Sequence, residues 1–446
     1  MIEPRTLKGF RDLLPAQALA RERILDVARR VYRSYGFAPI DTPALEYFEI
    51  LTGKGGAETD KQLYSFTDHG GRHVGMRFDL TVPFARYAAQ HIAALGTPFK
   101  RYHMATVWRG ENTQRGRYRE FMQCDFDTIG TTSDVADLET VLVVHDLLVA
   151  IGIERFTIRV NDRRILGGVL RTAGLAERST DVLRCLDKLG KQPPEVVIAE
   201  LVAQRVPAPV AERLVRMATL GGTPGEVLAA VEPLVGDDPV GHEGIAAVRT
   251  LLDRVARAGV AAGRVAVDPS IARGLDYYTG IVLESFLDEL PALGSICSGG
   301  RYDNLAGLYT KQPLPGVGAS LGIDRLMAGL EELGRLATRE TPAEVFLVHF
   351  DAAHLDEYVR IAAALRADGV AVEFFPEPRR LGQQLKGAAK KGFRIALVIG
   401  SDEFARGTAQ LKNLATEVTT TIAWNGDLRA LLDAVHSHLE AIRSEE

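Results

Sequence analysis

Tyr102–Gly130 reads YHMATVWRGENTQRGRYREFMQCDFDTIG, with arginines, carboxylates, an amide and aromatics alternating around one glycine-containing turn. VWRGE and REFMQCDFDTI each repeat with the period of two expected of strands that have one apolar and one polar face. The segment is therefore expected to fold as strand, loop and antiparallel strand. The alternation places Arg109 and Glu111 on a common side, and Arg119, Phe121, Gln123, Asp125 and Asp127 on one face. Such a face suits a flat base, a triphosphate and a small polar substrate, because the planar fork of Arg gives two hydrogen bonds to one phosphate or carboxylate. The same alternation also fits a charged hairpin with solvated cross-strand pairs.

Upstream of this hairpin, residues 16–35 carry apolar positions at helical spacing (Leu19, Ile24, Leu25, Val27, Ala28, Val31, Tyr32) ahead of Gly36, as in a helix packed on a sheet. Strand-like runs dominate from Phe37 to about Gly130. They resume at Val265–Phe286 and Gly316–Leu321, before a helix over Ile323–Leu333. The expectation is one mainly antiparallel sheet, interrupted in sequence. The interruption is rich in Ala, Leu, Val, Arg and Glu, breaks at Pro193-Pro194 and Gly221-Gly222, and reads as several helices. Past GLEELGRLATRETPAE, the runs VFLVHF, VAVEFF and RIALVIG alternate with helical stretches 354–368 and 380–391, a separate α/β unit. The fold expected is α+β. Its core spans 1–162 and 263–330, with a helical insertion over 163–262, a connector over 331–342 and an α/β domain over 343–446.

A chain of 446 residues has room for two or three domains. Its net charge of −5 means that nucleic acid would be met by local basic patches and not by a global positive field. Cys124, Cys185 and Cys297 are widely separated and form no CxxC pair, which argues against a disulfide framework and a cysteine zinc site. The histidines show no metal-ligand spacing. His436 and His438 face different ways on an expected helix and are expected to be solvated. Neither GxxxxGK[ST] nor GxGxxG occurs, so phosphate binding must rest on side chains. The start MIEPRTLKGFRDLLP has no apolar run of signal-peptide length, and no segment approaches the roughly 20 apolar residues of a membrane span. A cytoplasmic protein without a membrane partner is expected.

Two further segments, RGLDYYTG at Arg273–Gly280 and GVGASLGIDR at Gly316–Arg325, resemble in order and wording the signatures of the histidyl-tRNA synthetase family. The hairpin resembles that family's motif 2 and GVGASLGIDR its motif 3, while RGLDYYTG resembles the histidine-specific signature that other class II synthetases lack. APIDTPALE (Ala38–Glu46) resembles motif 1, and RFDLTVPFARY (Arg77–Tyr87) an amino-acid-binding strand and turn. From KGFRDLLP to GTAQLKNLAT the resemblance covers nearly the whole chain. It implies a class II synthetase-type antiparallel core with a C-terminal anticodon-binding domain. It also implies ligation of L-histidine, activated with ATP and the Mg2+ that ATP carries, to tRNA(His), and a homodimer formed through motif 1 around Pro43.

The resemblance also distributes roles. Arg109 would grip the α-phosphate and the substrate carboxylate, Arg117 and Arg325 the γ-phosphate, and Glu111 with Phe121 the adenine. Arg325 is expected at the start of a helix, where the macrodipole disfavours a cation, so a nearby anion would account for it. Asp79 and Gln123 would meet the α-amino and carboxylate end of histidine, and Asp127 with Tyr278 its ring, with Thr81, Tyr277 and Tyr302 completing the pocket. Asp79 stands in the apolar setting FDLTVPF, where an unpaired charge is costly. In many bacterial relatives the two acids are glutamates, and the shorter aspartates resemble the eukaryotic and archaeal branch. Arg273 would stabilise charge at the α-phosphate from the side opposite Arg109, where other class II enzymes place a metal ion, and would also touch histidine. Gly299-Gly300 would either let backbone approach the ligand or form a turn.

Gln114 and Arg115 are candidates for reading the acceptor stem. Arg379, Arg380, Lys386, Lys390, Lys391 and Arg394 cluster around one helix and its following strand, where the family places anticodon binding, and phosphate contact is a natural use of such charge. The competing reading is a synthetase-like regulatory subunit that does not charge tRNA. Such paralogues typically lose the RGLDYYTG wording and the C-terminal domain, and both are present here.

Overall fold

The computed structural model describes all residues other than 53–61, 187, 190–191, 272–276, 337–338, 350 and 446. The chain folds into two units, Met1–Arg11 with Ile24–Arg335 and Asp12–Arg23 with Leu336–Glu446. In the first unit the described strands are β1 (Ala38–Pro39), β2 (Leu45–Tyr47), β3 (Ser65–Thr67), β4 (His73–Met76), β5 (Phe99–Trp108), β6 (Glu120–Ile129), β7 (Phe156–Asp162), β8 (Val265–Val267), β9 (Ile281–Leu287), β10 (Cys297–Tyr302) and β11 (Gly316–Gly322). Eight of them form one sheet in the order β1-β5-β6-β11-β10-β9-β7-β8. The five central pairings are antiparallel and only the two outer ones are parallel. The mainly antiparallel, sequence-interrupted sheet expected from the alternation is present, and β5–β6 is the quoted hairpin.

The helix Pro15–Ser34 ends just before Gly36, whose φ of 78° suits a residue without Cβ. Its Tyr32 is wholly buried, donates its hydroxyl to Cys124 O at 3.1 Å and packs against Tyr102 and Phe126 on β5 and β6. A buried bidentate pair, Arg301 to Asp137 at 2.9 and 2.8 Å, ties β10 to the helix Asp134–Ile151.

One expectation fails here. TVPFARY was read within a strand-rich stretch, yet Thr81–Leu95 is a helix burying Phe84, Ala85, Ala88 and Ile92. Pro83 lies in its first turn, where a missing N–H is tolerated, and the helical spacing becomes visible only once that proline is read as a start. The insertion is helical as expected, with helices Arg163–Thr172, Ser179–Leu186, Pro194–Ala203, Ala208–Ala218, Pro224–Val235 and Pro239–Arg257 among the described residues. Pro194 opens one of them, and Gly221-Gly222 separates two.

The second unit holds a five-stranded sheet of β12 (Val345–Leu347), β13 (Val372–Phe374), β14 (Ile395–Val398), β15 (Thr408–Asn413) and β16 (Thr419–Ala423), in the order β13-β12-β14-β15-β16. The helices Leu355–Ala367, Leu381–Lys391 and Leu428–Glu445 accompany it, and Leu347, Tyr358, Ile361, Leu397, Trp424 and Leu431 share one core. No described helix is long and apolar enough to cross a membrane.

Gly299 and Gly300 form no turn; they lie within β10. A Cβ on Gly299 would meet Gly318 O at 2.2 Å, and the glycines of β11 are as confined. A Cβ on Gly318 would meet Asp127 Oδ1 and Phe126 O at 2.3 Å, and one on Gly316 the Tyr302 ring at 2.4 Å. Both contacts are too close to absorb without moving a strand. Gly318→Ala should therefore lower unfolding stability by about 1–3 kcal/mol, read as a shifted denaturant midpoint. Gly225→Ala, with nothing within 4 Å, should be neutral or slightly stabilising. Equal shifts from the two would show that close approach is not what demands glycine at 318.

Candidate functional site

One cavity of about 1270 Å³, counting its open mouth, runs along β6 and β11 beneath the helix Thr81–Leu95. Among its lining residues are Arg109, Glu111, Arg117, Phe121 and Arg325 at one end and Asp79, Thr81, Gln123, Asp127, Tyr277, Tyr278 and Tyr302 at the other. Every described residue expected in the ATP and histidine sets lines this one space. Arg273 lies outside the described residues.

At the arginine end, Arg109 Nε donates to Phe78 O at 2.8 Å, and the guanidinium lies over the Phe121 ring, 5.1 Å from its centroid. Glu111 stands between Arg109 and Arg117, 3.8 and 3.6 Å away. Arg325 opens the helix Ile323–Glu332 and donates to Ser295 O at 2.5 Å. Burial, and then the charge of Arg117, push its pKa down to about 10. Guanidinium groups that repel one another in a partly buried space, one of them at a helix N-terminus, favour an anion between them.

Arg119 was expected on the same face as Phe121. Instead its Nε donates to Glu111 O at 3.1 Å and its backbone N to Gly9 O at 2.9 Å. β6 begins only at Glu120, so the alternation does not reach Arg119, and this arginine braces the loop. Asp324, not singled out from the sequence, accepts from Met122 N at 2.8 Å and pairs with Arg11, which lies over the Tyr118 ring.

The opposite end is acidic and buried. Asp79 is 1% exposed and accepts from Val82 N at 3.0 Å, at the start of the helix; burial pushes its pKa up to about 6. Asp127 pairs with Arg101 at 2.6 Å and accepts from the Tyr302 hydroxyl at 2.6 Å. Tyr278, expected to share the ring of histidine with it, lies against Tyr277, ring centroids 5.0 Å apart, and burial and then the charge of Asp127 raise its pKa. Gln123 donates its amide N–H to Ser320 Oγ at 3.0 Å.

Three further residues belong to this end. Arg101 faces Asp127 by register on β5, Ser320 faces Asp125 on β11, and Asp125 is 2% exposed, with burial pushing its pKa up to about 7. Asp125 was legible as a member of the alternating face. Arg101 is a cation in the middle of a strand, and only the pairing of β5 with β6 reveals its partner.

Gln114 and Arg115 do not line the cavity. Gln114 bridges to Arg117 across the loop turn, and Arg115 pairs with Glu332 at 2.8 Å. In the second unit, Arg379 pairs with Glu377 at 2.8 Å, Lys391 with Glu373 at 2.9 Å, and Arg394 with Glu344. Arg380, Lys386 and Lys390 are exposed and make no ion pair among the described residues. His436, expected to be solvated, contacts Asp368 at 2.7 Å.

The family model described as "Histidyl-tRNA synthetase" matches residues 9–326, and one described as "Anticodon binding domain" matches residues 344–432. A histidine–tRNA ligase of Rhodopirellula baltica is 55% identical over 439 residues, which cover 98% of this chain and 99% of that one. A histidine–tRNA ligase of Wolinella succinogenes is 45% identical over 93% and 94% of the two chains. The crystal structure of histidyl-tRNA synthetase from Nostoc sp. PCC 7120 superposes with a TM-score of 0.86 at 33% identity, covering 96% of this chain and 99% of that one.

The raised pKa of Asp79 has a sign that can be tested. Between pH 3.8 and about 6 the unfolded chain has lost the proton and the folded one keeps it. Asp79 thus costs nothing below that window and its full penalty above it, about 3 kcal/mol. Ligand-free Asp79→Asn should be more stable than the parent at pH 8, with a gap that narrows below pH 6 and closes near pH 4. Denaturant melts across that range would refute burial as the cause if the gap were independent of pH.

Proposed function

The chain belongs to the histidyl-tRNA synthetase family and ligates histidine to its tRNA with ATP, and on that premise we propose how the two ends of the cavity divide the work. The observation that carries the reading is that a single strand, β6, runs from the cluster of arginines to the buried carboxylates. ATP would lie at the arginine end, adenine on Phe121 and Glu111, with its β- and γ-phosphates toward Arg117 and Arg325. Histidine would lie at the acid end, its ammonium at Asp79 and Gln123, its ring near Asp127, Tyr278 and Tyr302, with Thr81 and Tyr277 closing the pocket. Arg109, at the arginine end but bonded to the carbonyl of Phe78 next to Asp79, would hold the carboxylate and the α-phosphate within reach of each other, which is the largest part of such catalysis.

A carboxylate oxygen then bonds to the α-phosphorus as the bond to pyrophosphate breaks, giving histidyl-adenylate. In the second step a terminal ribose hydroxyl of tRNA attacks the acyl carbon and AMP leaves. Arg273, by resemblance, would stabilise the charge at the α-phosphate. Mg2+ would enter with the triphosphate.

The catalytic core would comprise 1–162 and 263–330, and the domain 343–446 would read the anticodon. The exposed charges of Arg380, Lys386 and Lys390, with Arg379, support phosphate contact there. Gln114 and Arg115, exposed on the motif 2 loop, would meet the acceptor stem. A cytoplasmic homodimer would bury the apolar side chains that β2 and β3 leave exposed, Leu45, Tyr47 and Phe66, beside Pro43.

Histidine-dependent ATP–pyrophosphate exchange is the direct test. Phenylalanine and glutamine should be activated roughly ten-thousandfold less well, because they leave buried polar groups unpaired; comparable activation would remove the ring assignment. Truncation after Arg335 should leave exchange largely intact and depress tRNA charging strongly, provided sedimentation and circular dichroism show a folded product. A folded truncate that charges tRNA as well as the full chain does would refute the division between the domains.

A further inference from the structure

Four oxygens at the acid end of the cavity are buried and accept no hydrogen bond: Asp127 Oδ2 lies 2.6 Å from the Arg101 guanidinium, whereas Asp79 Oδ2, Gln123 Oε1 and Asp125 Oδ1 lack a donor. A buried acceptor left without a partner is costly, and three such atoms from residues lining one space call for one compact donor. We propose that Asp125 is a further substrate-binding residue, its Oδ1 completing with Asp79 Oδ2 and Gln123 Oε1 a cradle for the three N–H groups of the histidine α-ammonium. This deepens the placement of the ammonium at the acid end and rests on it.

The neighbouring polar groups are otherwise engaged. Asp127 has one oxygen on the Tyr302 hydroxyl and the other 2.6 Å from Arg101. The Thr81 hydroxyl interacts with Tyr277, and the Ser320 hydroxyl with the Asp125 carboxylate. Gln123 gives its amide N–H to Ser320, which leaves its carbonyl oxygen for a donor. The charges agree with this count. Asp79, Asp125 and Asp127 are all buried, and the wholly buried Arg101 lies 2.6 Å from Asp127 and 3.9 Å from Asp125. One guanidinium does not neutralise three carboxylates, and an ammonium, with three donors and no acceptor, reduces the excess.

Asp125→Asn keeps the shape and removes the charge. A charge-assisted hydrogen bond of about 1.5–3 kcal/mol corresponds to roughly a 10- to 100-fold rise in the KM for histidine, with the KM for ATP unchanged as the sign of an intact site. Two competitors of the exchange reaction locate the effect: histamine has the ring and the ammonium, and imidazole-4-propionate has the ring and the carboxylate without the ammonium. The Ki of histamine should rise with the KM for histidine, and that of imidazole-4-propionate should stay within about twofold, as for a contact made to the ammonium alone. Equal losses for both inhibitors, or no loss for either, overturn the role of Asp125. Asp125→Ser, smaller and also neutral, should discriminate in the same way and serves if the Asn variant folds poorly. Asp79→Asn measured alongside separates the two levels. If it spares imidazole-4-propionate while Asp125→Asn does not, only Asp125 is misassigned; if neither discriminates, the ammonium does not bind at this end.

Discussion

Arg101 is wholly buried, and the acid end of the site is organised around it. Its guanidinium lies over Phe84, 4.4 Å from the ring centroid, donates to Leu80 O at 3.3 Å and pairs with Asp127 at 2.6 Å. Phe84 and Leu80 belong to the segment that begins the helix Thr81–Leu95, and Asp127 to β6. The arginine therefore fixes how that helix sits over the sheet, and with it where Asp79 stands. Removing such a partner leaves an uncompensated buried charge, a cost of about 3–5 kcal/mol. The pair thus acts more as a constraint on geometry than as a source of net stability.

Register does the rest of the positioning. Asp127 faces Arg101 on one side and Gly318 on the other, while Asp125 faces His103 and Ser320. Because side chains alternate, a slip by one residue would turn Phe121, Gln123, Asp125 and Asp127 away from the cavity together. The glycines of β11 belong to this scheme, since a Cβ at 316 or 318 would occupy the space of the Tyr302 ring or of the Asp127 carboxylate. GVGASLG is therefore legible twice, as a motif resembling a known one and as a strand whose missing side chains make room for those of its neighbours.

What the sequence revealed follows from the range of each signal. Period-two alternation is local, so the β5–β6 hairpin and the face carrying Phe121, Gln123 and Asp127 could be read directly. Arg101 could not, because its meaning depends on a partner across the hairpin. Arg119 lies one residue before the strand Glu120–Ile129 begins, so the alternation does not govern where it points. The helix Thr81–Leu95 was lost in a strand-rich stretch because Pro83 resembles a break until its place in a first turn is known. In the second unit β12, β13 and β14 were visible as apolar runs. β16, whose burial pattern is largely exposed, carries almost no apolar signal to read.

The two ends of the cavity share a physical logic that separates stability from function. Burial raises the pKa of Asp79 and Asp125 and lowers that of Arg325, so in each case the fold opposes the charged form. Like charges gathered at each end work against the ligand-free protein. A ligand anionic at one end and cationic at the other relieves both strains at once, and the burial that makes the charges costly also strengthens their hold on it. On the proposed placement, selectivity for a zwitterionic amino acid beside a polyphosphate would follow from how charge is distributed along β6, and the cost of burying those charges in the empty site is the other face of that selectivity.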